Sequence, residues 1–231
     1  MPWFWLLAQA AMALPPLGFL HGPGGRLYPV YGMRGNFVLG EAVPEKIQSA
    51  AVFTGVTLWK LPDSIRISEA RSLAAPEGRA VFAWSEASGT LVAWIRESRR
   101  MMRWEGDAGS DFALPEGVDD VTGMMFSAPG VLRMVWKMDG QFEVVEFSLD
   151  SGRIVWREDV RGQKATLDSN GNVWSSGGAD VSCGARHWTL AGSLEEFSPL
   201  AAGWMALRTE SGAEAARCTE PELFQLPVPM P

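Results

Sequence analysis

Histidine, cysteine and tyrosine are scarce in this sequence, with two residues of each in a chain of 231. Neither His21 nor His187 lies near a G-x-S-x-G nucleophile elbow, and the sequence contains no such elbow. The two cysteines have no histidine at the spacing of a zinc site. The glycine-rich stretch at 22–25 lacks the lysine of a phosphate-binding loop. The sequence therefore predicts no catalytic residue, no cofactor and no metal site, and we expect both histidines to be packing or surface residues.

Long apolar runs are also missing, because no stretch after the N-terminus approaches the roughly 18 residues of a membrane span. The segment from Pro2 to Leu14 is apolar apart from Gln9 and is typical of the hydrophobic part of a signal peptide. Small residues spaced for signal peptidase predict cleavage after Ala10 or Ala13. We therefore expect a signal peptide at 1–13, one domain at 14–231, and an exported protein, periplasmic or secreted, with no membrane span in its mature form. No Lys or Arg precedes the apolar segment, so a buried first strand or helix is the alternative.

The expected export determines the oxidation state that we predict for the two cysteines. In an oxidising compartment Cys183 and Cys218 are expected to form a disulfide, which by closing a loop of this length contributes about 3–4 kcal/mol. If the chain is not exported, two buried free thiols are the alternative.

Basic residues are in the minority, 20 against 27 acidic ones, for a formal net charge of −7. Nucleic-acid phosphates would be repelled on average, so we expect no nucleic-acid partner. The basic run of Arg96, Arg99, Arg100 and Arg103 is interpreted as a solvated strand face.

Tryptophan, glycine and proline are abundant, at 11, 25 and 15 residues, and they mark a repeated unit. The unit is an apolar strand, a glycine turn and a second strand that ends near Trp. The turn glycines Gly89, Gly130, Gly171 and Gly212 are each 41 residues apart, and a shorter copy surrounds Gly55. Outer hairpins follow, as in 142–156, where Asp150-Ser151-Gly152 separates two β-rich runs. Similar outer pieces are 93–95 with 101–104, and 187–190 with 194–197.

A β-propeller blade is a repeat of about 40 residues that contains four strands, and the unit found here matches it. We predict an all-β propeller of about five four-stranded blades. The leading hairpin at 19–28 has no inner pair before it, and the last unit ends at 223–226. Pairing these N- and C-terminal segments would close the ring and cover both edges.

Two short runs resemble known propeller families. The segment 147–156 (FSLDSGRIVW) is similar to the blade signature of PQQ-like propellers, and 167–174 (LDSNGNVW) is similar to the turn of NHL-type and sensor-type propellers. Both resemblances imply the fold alone, and neither carries over a catalytic residue.

Acidic side chains are the remaining candidates for chemistry. The run at 168–172 has oxygen ligands at alternate positions, yet position 179 is Ala where a calcium loop needs Glu, so an Asn-Gly turn is the better interpretation. Glu116, Asp119 and Asp120 form a loop cluster that we expect to be solvated. Glu143 and Glu146 lie three apart on a strand and therefore on opposite faces.

Three classes of function stay open. The first is a non-catalytic exported binding or scaffold module for a protein, peptide or glycan. The second is a propeller-fold lyase or hydrolase with carboxylates around the central channel. Several Asp, His or Arg residues with perturbed pKa values in the channel would favour this class, and a channel lined by Val and Ala would oppose it. The third is a structural part of a larger assembly, which an exposed Trp and Met patch would favour.

Overall fold

The computed structural model describes residues 15–44, 46–68 and 71–227 of the chain. These residues form 23 β-strands in six antiparallel sheets, arranged as the blades of a six-bladed β-propeller. The predicted all-β propeller is confirmed, and the predicted count of about five blades is wrong. The predicted signal peptide at 1–13 lies outside the described residues.

The first three blades occupy the N-terminal half. Blade 1 contains β1 (Gly18–His21), β2 (Leu27–Met33) and β3 (Asn36–Leu39). Blade 2 contains β4 (Ser49–Phe53), β5 (Val56–Lys60), β6 (Ser64–Ile67) and β7 (Arg71–Ala74). Blade 3 contains β8 (Ala80–Ser85), β9 (Thr90–Ile95), β10 (Arg100–Glu105) and β11 (Ala108–Phe112).

The last three blades have four strands each. Blade 4 contains β12 (Val118–Ala128), β13 (Val131–Met138), β14 (Gln141–Ser148) and β15 (Arg153–Val160). Blade 5 contains β16 (Lys164–Leu167), β17 (Val173–Gly177), β18 (Asp180–Cys183) and β19 (Arg186–Thr189). Blade 6 contains β20 (Leu194–Pro199), β21 (Trp204–Thr209), β22 (Gly212–Arg217) and β23 (Phe224–Leu226).

The first strand of each blade faces the centre, and neighbouring inner strands from β4 to β20 run parallel. The Ala80 N–H at the start of β8 donates to Ser49 Oγ at the start of β4, at 2.7 Å. Thr166 Oγ1 of β16 donates to the Thr122 carbonyl of β12, at 2.7 Å. Ser169 Oγ, just after β16, donates to the Leu200 carbonyl just after β20, at 2.9 Å. Matching strand ends therefore lie at the same end of the channel.

Blade 1 departs from this pattern. Gly18 at the start of β1 lies against Leu200, where a Cβ would be 2.7 Å from Leu200 Cδ2, whereas His21 at its end lies beside Glu196. The strand β1 therefore runs antiparallel to β20. The predicted pairing of the terminal segments is not found among the described strands, since β1 pairs with β2 and β23 with β22. Instead the Ala201 N–H donates to the Leu17 carbonyl, at 2.6 Å.

Apolar side chains, many of them aromatic, fill the spaces between blades. Trp104, Trp136 and Trp174 are among the largest fully buried side chains, and the rings of Trp174 and Trp188 stack 5.2 Å apart. Phe19 of blade 1 packs edge-on against Trp59 of blade 2, at 4.8 Å between ring centroids. Each large apolar side chain contributes about 1.5–3 kcal/mol on burial, so these residues stabilise the packing of one blade on the next.

The repeat is less regular than the glycine spacing suggests. Gly55, Gly89, Gly130 and Gly171 have positive φ and lie in the turns between the first and second strands of blades 2 to 5. In blade 6 that position belongs to Gly203, because Gly212 begins β22. The last 41-residue interval was therefore a coincidence. The predicted hairpin of 187–190 with 194–197 is also wrong, since β19 ends blade 5 and β20 begins blade 6.

The predicted disulfide is present and joins the last two blades. Cys183 ends β18 and Cys218 follows β22, with 5.4 Å between their Cα atoms. Among the described residues, no helix has the length and hydrophobicity needed to cross a membrane.

Candidate functional site

Charged side chains collect at the end of the channel where β4, β8 and β20 begin. We call this set, His21, Arg79, Arg96, Glu195, Glu196 and Arg208, the mouth. Three blades supply it: His21 ends β1, the two arginines flank β8 and β9, and the rest lie on β20 and β21. Together with the 22–25 turn and the 210–212 turn they line an open cavity of about 660 Å³.

Glu196 is the centre of the blade 6 side of the mouth. Its Oε1 lies 2.6 Å from His21 Nδ1, and its Oε2 lies 3.2 Å from a terminal nitrogen of Arg208. Burial alone would raise the pKa of Glu196, but the close contact and charge of His21 and the charge of Arg208 outweigh it, so the pKa is lowered. Glu196 is therefore held as a carboxylate that accepts hydrogen bonds.

A β-bulge explains why two adjacent glutamates reach the same arginine. The pairing of β20 with β21 shifts register between Leu194 and Glu196, which leaves Glu195 as the extra residue. Successive residues on a regular strand point to opposite faces, and the bulge relaxes that rule. Arg208 consequently pairs with both Glu195 and Glu196.

The blade 3 side of the mouth is more loosely paired. The Arg79 N–H donates to Glu97 Oε2 at 2.6 Å, whereas the Arg79 side chain lies 3.5 Å from Glu97 Oε1. Arg96 Nε lies 3.4 Å from Asp120 Oδ1, which already accepts a 2.9 Å hydrogen bond from Trp94 Nε1. The Arg96 N–H donates to the Arg79 carbonyl at 2.9 Å, which places the two arginines side by side.

A second cavity of about 320 Å³ continues from the mouth into the channel. Its middle is lined by small and apolar residues of the inner strands, among them Ala51, Val81 and Met124. Its far end contains Phe53, Trp84 and Phe126 from three successive blades, together with Asp168 and Ser169 after β16. The channel thus changes from charged at the mouth to largely apolar along its length.

The acidic residues singled out in the sequence are mostly engaged in structural contacts. Asp119 is exposed, as expected, and pairs with Arg99 at 3.1 Å, while Asp120 pairs with Arg96 as described above. Both lie on β12 rather than in a loop. Glu143 accepts from Trp136 Nε1 at 3.0 Å, while Glu146 pairs with Arg133 at 3.4 Å.

The Asp168 carboxylate accepts hydrogen bonds within the turn at 168–172, as expected if this run is an Asn-Gly turn rather than a calcium loop. It accepts hydrogen bonds from the Asn170 and Asn172 N–H groups, Asn172 Nδ2 and Trp174 Nε1, at 2.8–3.0 Å. The side chain is 2% exposed. These oxygens are committed to the turn.

The remaining candidates divide between the mouth and the outer surface. His187 is exposed on β19, as expected, whereas His21 belongs to the mouth. Of the basic run, Arg100 pairs with Asp111 and Arg103 with Glu105 on the outer strands, and Arg96 alone reaches the mouth. Exposed apolar side chains fall in two places, Met33 and Val38 on blade 1 and Val155 and Trp156 on blade 4. These blades are on opposite sides of the ring, so no single Trp and Met patch forms among the described residues.

Sequence reasoning missed Arg79, Glu195, Glu196 and Arg208. Arg79 lies far from the other three in the chain, and the topology brings it to them. Arg79, Glu195 and Glu196 share a position at the start of an inner strand, whereas Arg208 lies on the second strand β21 opposite Glu196. The shared position was a usable signal, but it required the correct strand assignment in blade 6.

Comparison with known proteins supports the fold. No family model matches the chain, and no curated protein matches it. A chain of a nidogen/laminin complex is similar with a TM-score of 0.58 and 14% identity, covering 90% of this chain and 92% of that one. BBS1N in complex with ARL6DN gives a TM-score of 0.53 at 10% identity, covering 93% and 82%. The Pan2 WD40 domain of Neurospora crassa gives 0.51 at 10%, covering 94% and 81%. At these identities the likeness shows the propeller fold and nothing about function.

Proposed function

We propose that this chain is an exported, non-catalytic binding module that takes a peptide or protein partner at the mouth. The observation that carries the proposal is the 660 Å³ cavity edged by paired charges of both signs. Such pairs present donors and acceptors in fixed positions, which is what recognition of a polar partner requires. The turn at 22–25 adds backbone groups to the same wall.

The ionisation of Glu196 favours binding over catalysis. A general acid needs a raised pKa so that it holds a proton near neutral pH, whereas the pKa of Glu196 is lowered. In the neighbouring channel Ala51 and Val81 offer no groups for proton transfer, and the Asp168 carboxylate that also lines it is occupied by hydrogen bonds within its turn. These observations favour the binding module over the lyase or hydrolase alternative. One similar structure is a complex of nidogen with laminin, and a protein partner bound by this propeller would be consistent with that use of the fold.

Export is supported by the disulfide, because such bonds persist in oxidising compartments. We expect the exported protein to begin at residue 11 or 14, and intact-mass measurement of protein recovered from the medium or periplasm tests this. Recovery of protein that still carries residues 1–13 from the cytoplasm, with both thiols alkylatable, would contradict the proposal.

Binding at the mouth is testable with a displayed peptide library selected on the folded protein. We expect selected peptides to lose at least tenfold in affinity for Arg208→Gln, because this change leaves Glu195 and Glu196 without their shared partner. Arg100→Gln is the matched control, an ion-paired arginine on an outer strand. Peptides that bind both variants as well as the wild type would place the interaction elsewhere and refute the mouth as the site.

A further inference from the structure

The two cavities meet at four side chains. His21, Arg79, Arg96 and Glu196 line both the open mouth and the inner channel. We call these four residues the neck. A ligand that enters the channel from the mouth has to pass them, so their charges select what enters.

The two arginines of the neck have guanidinium N–H donors that are available to a ligand. A guanidinium carries five N–H donors. Among the described residues, the side-chain contacts of Arg79 and Arg96 are the loose ones to Glu97 at 3.5 Å and Asp120 at 3.4 Å. Glu196, by contrast, is already in contact with His21 and paired with Arg208. The neck therefore offers a pair of adjacent guanidiniums, the group that matches a carboxylate best.

Beyond the neck the channel suits an apolar tail. The wall passes from Ala51 and Met124 to the aromatic end at Phe53, Trp84 and Phe126. The path from Arg79 to Trp84 follows the strand β8 for five residues, or about 16 Å at the usual rise of a strand. A volume of about 320 Å³ is at the lower end of the range of small-molecule sites.

We propose that the channel binds an elongated amphipathic carboxylate, with its head group between Arg79 and Arg96 and its apolar tail directed toward Phe53, Trp84 and Phe126. The inference deepens the proposed function and rests on the same mouth. The carboxylate can belong to a free arylalkanoic acid or to the C-terminal residue of a peptide partner whose aromatic side chain enters the channel. In both cases the two arginines bind a carboxylate and the channel binds an aromatic group.

The free-acid arm uses 6-phenylhexanoate as the probe, with benzoate and 4-phenylbutyrate as shorter relatives and 6-phenylhexanamide as the uncharged match. Titration calorimetry should show saturable one-to-one binding that strengthens with chain length, up to about fourfold per methylene. The amide should bind at least fivefold more weakly than the acid. The double variant Arg79→Gln/Arg96→Gln should remove this preference, and Arg100→Gln should keep it.

The peptide arm uses Ac-Ala-Ala-Ala-Phe with a free C-terminal carboxylate, compared with its C-terminal amide. Tighter binding of this peptide than of 6-phenylhexanoate identifies a peptide terminus as the source, and the reverse identifies a free acid. Ala50→Phe narrows the channel while leaving both arginines in place, and should weaken both probes. Because this residue lines the channel, the melting temperature of the variant is measured first, and the two-arginine variant provides the test if Ala50→Phe does not fold.

Two results would overturn the inference. One is the absence of saturable binding for both acids. The other is equal binding of acid and amide that the two-arginine variant leaves unchanged. Neither result would contradict the proposed binding of a peptide or protein partner at the mouth, because that proposal is tested separately by selected peptides whose affinity depends on Arg208.

Discussion

Among single residues, Glu196 links the charge of the mouth to folding stability. Its pKa is lower in the folded protein than the ordinary value of 4.5. The unfolded chain therefore binds more protons as the pH falls below 4.5, and the stabilisation is fully present above that pH and is lost through the folded pKa. We expect Glu196→Gln to destabilise the protein by about 1–2 kcal/mol at neutral pH and by much less near pH 3.

Thermal unfolding of both proteins between pH 7 and pH 3 measures this difference. Glu210→Gln, an exposed carboxyl on the adjacent turn, is the control and should change the melting temperature little at any pH. A gap between wild type and Glu196→Gln that stays constant down to pH 3 would show that the ionisation of Glu196 is not coupled to folding.

Lys60 also has a lowered pKa, but its folded state favours the neutral form of the side chain rather than the charged one. The residue is 0% exposed, its Nζ donates to the carbonyls of Leu61 and Pro62, and burial lowers its pKa below 10.5 despite the nearby charges of Asp63, Glu77 and Glu97. Between the folded pKa and 10.5 the unfolded chain binds more protons, so stability rises with pH in that window.

We expect wild type to gain stability relative to Lys60→Met as the pH is raised from 8 toward 10.5. Urea unfolding of the two proteins at matched pH values isolates the effect, because all other groups titrate alike in both. A difference in unfolding free energy that is independent of pH would mean that Lys60 keeps its ordinary pKa.

At the scale of the structural element, the turn that begins at Asp168 fixes the join between β16 and β17. Its buried carboxylate accepts four hydrogen bonds, one of them from the fully buried Trp174. Asp168→Ala would leave these donors unsatisfied, and we expect a loss of about 3–5 kcal/mol. Asp150→Ala changes the exposed aspartate of the β14–β15 turn and should cost less than about 0.5 kcal/mol. Unfolding in guanidinium chloride gives the free energy of unfolding of each variant. Equal losses of stability in the two variants would refute a special role for Asp168.

Elements with local signals were predictable and the rest were not. The hairpins around Gly130 and Gly152 have apolar strands on both sides of a turn, so the sequence alone located them. In blade 6 the inner strand reads LEEFSP, which carries charge because it forms the mouth. The more apolar strand β21 was mistaken for it, and this shift by one strand hid Glu196. The two glutamates at the mouth interrupt the apolar pattern by which an inner strand is recognised in the sequence.

At the scale of the whole molecule, the error of about one blade in the predicted count comes from blade 1. A three-stranded blade 1 whose β1 runs against the others looks in sequence like a spare outer hairpin. Whether such a hairpin pairs with the chain end or forms its own blade depends on contacts such as Phe37 with Trp204, at 5.3 Å between ring centroids. Those contacts connect residues more than 160 positions apart, and periodicity carries no information about them.

The disulfide strengthens the ring where blade 5 meets blade 6. The bond between Cys183 and Cys218 spans 35 residues and lies in the apolar cluster with Trp174, Trp188 and Met205. Closing a loop of this length restricts the unfolded chain and contributes about 4 kcal/mol on the loop-entropy model. Removing it should lower the stability of the whole propeller, because blade 6 also supports blade 1.

We therefore expect Cys183→Ser/Cys218→Ser to unfold at a markedly lower urea concentration than the oxidised wild type. Reduction of the wild type should bring it to a similar midpoint, and it should have no effect on the double variant. Mass spectrometry of non-reduced digests should show the two cysteine peptides linked. Alkylation of both thiols in protein recovered from an oxidising compartment would show instead that the bond does not form, and that blades 5 and 6 are held by packing and by hydrogen bonds such as that from Ser169 Oγ to the Leu200 carbonyl.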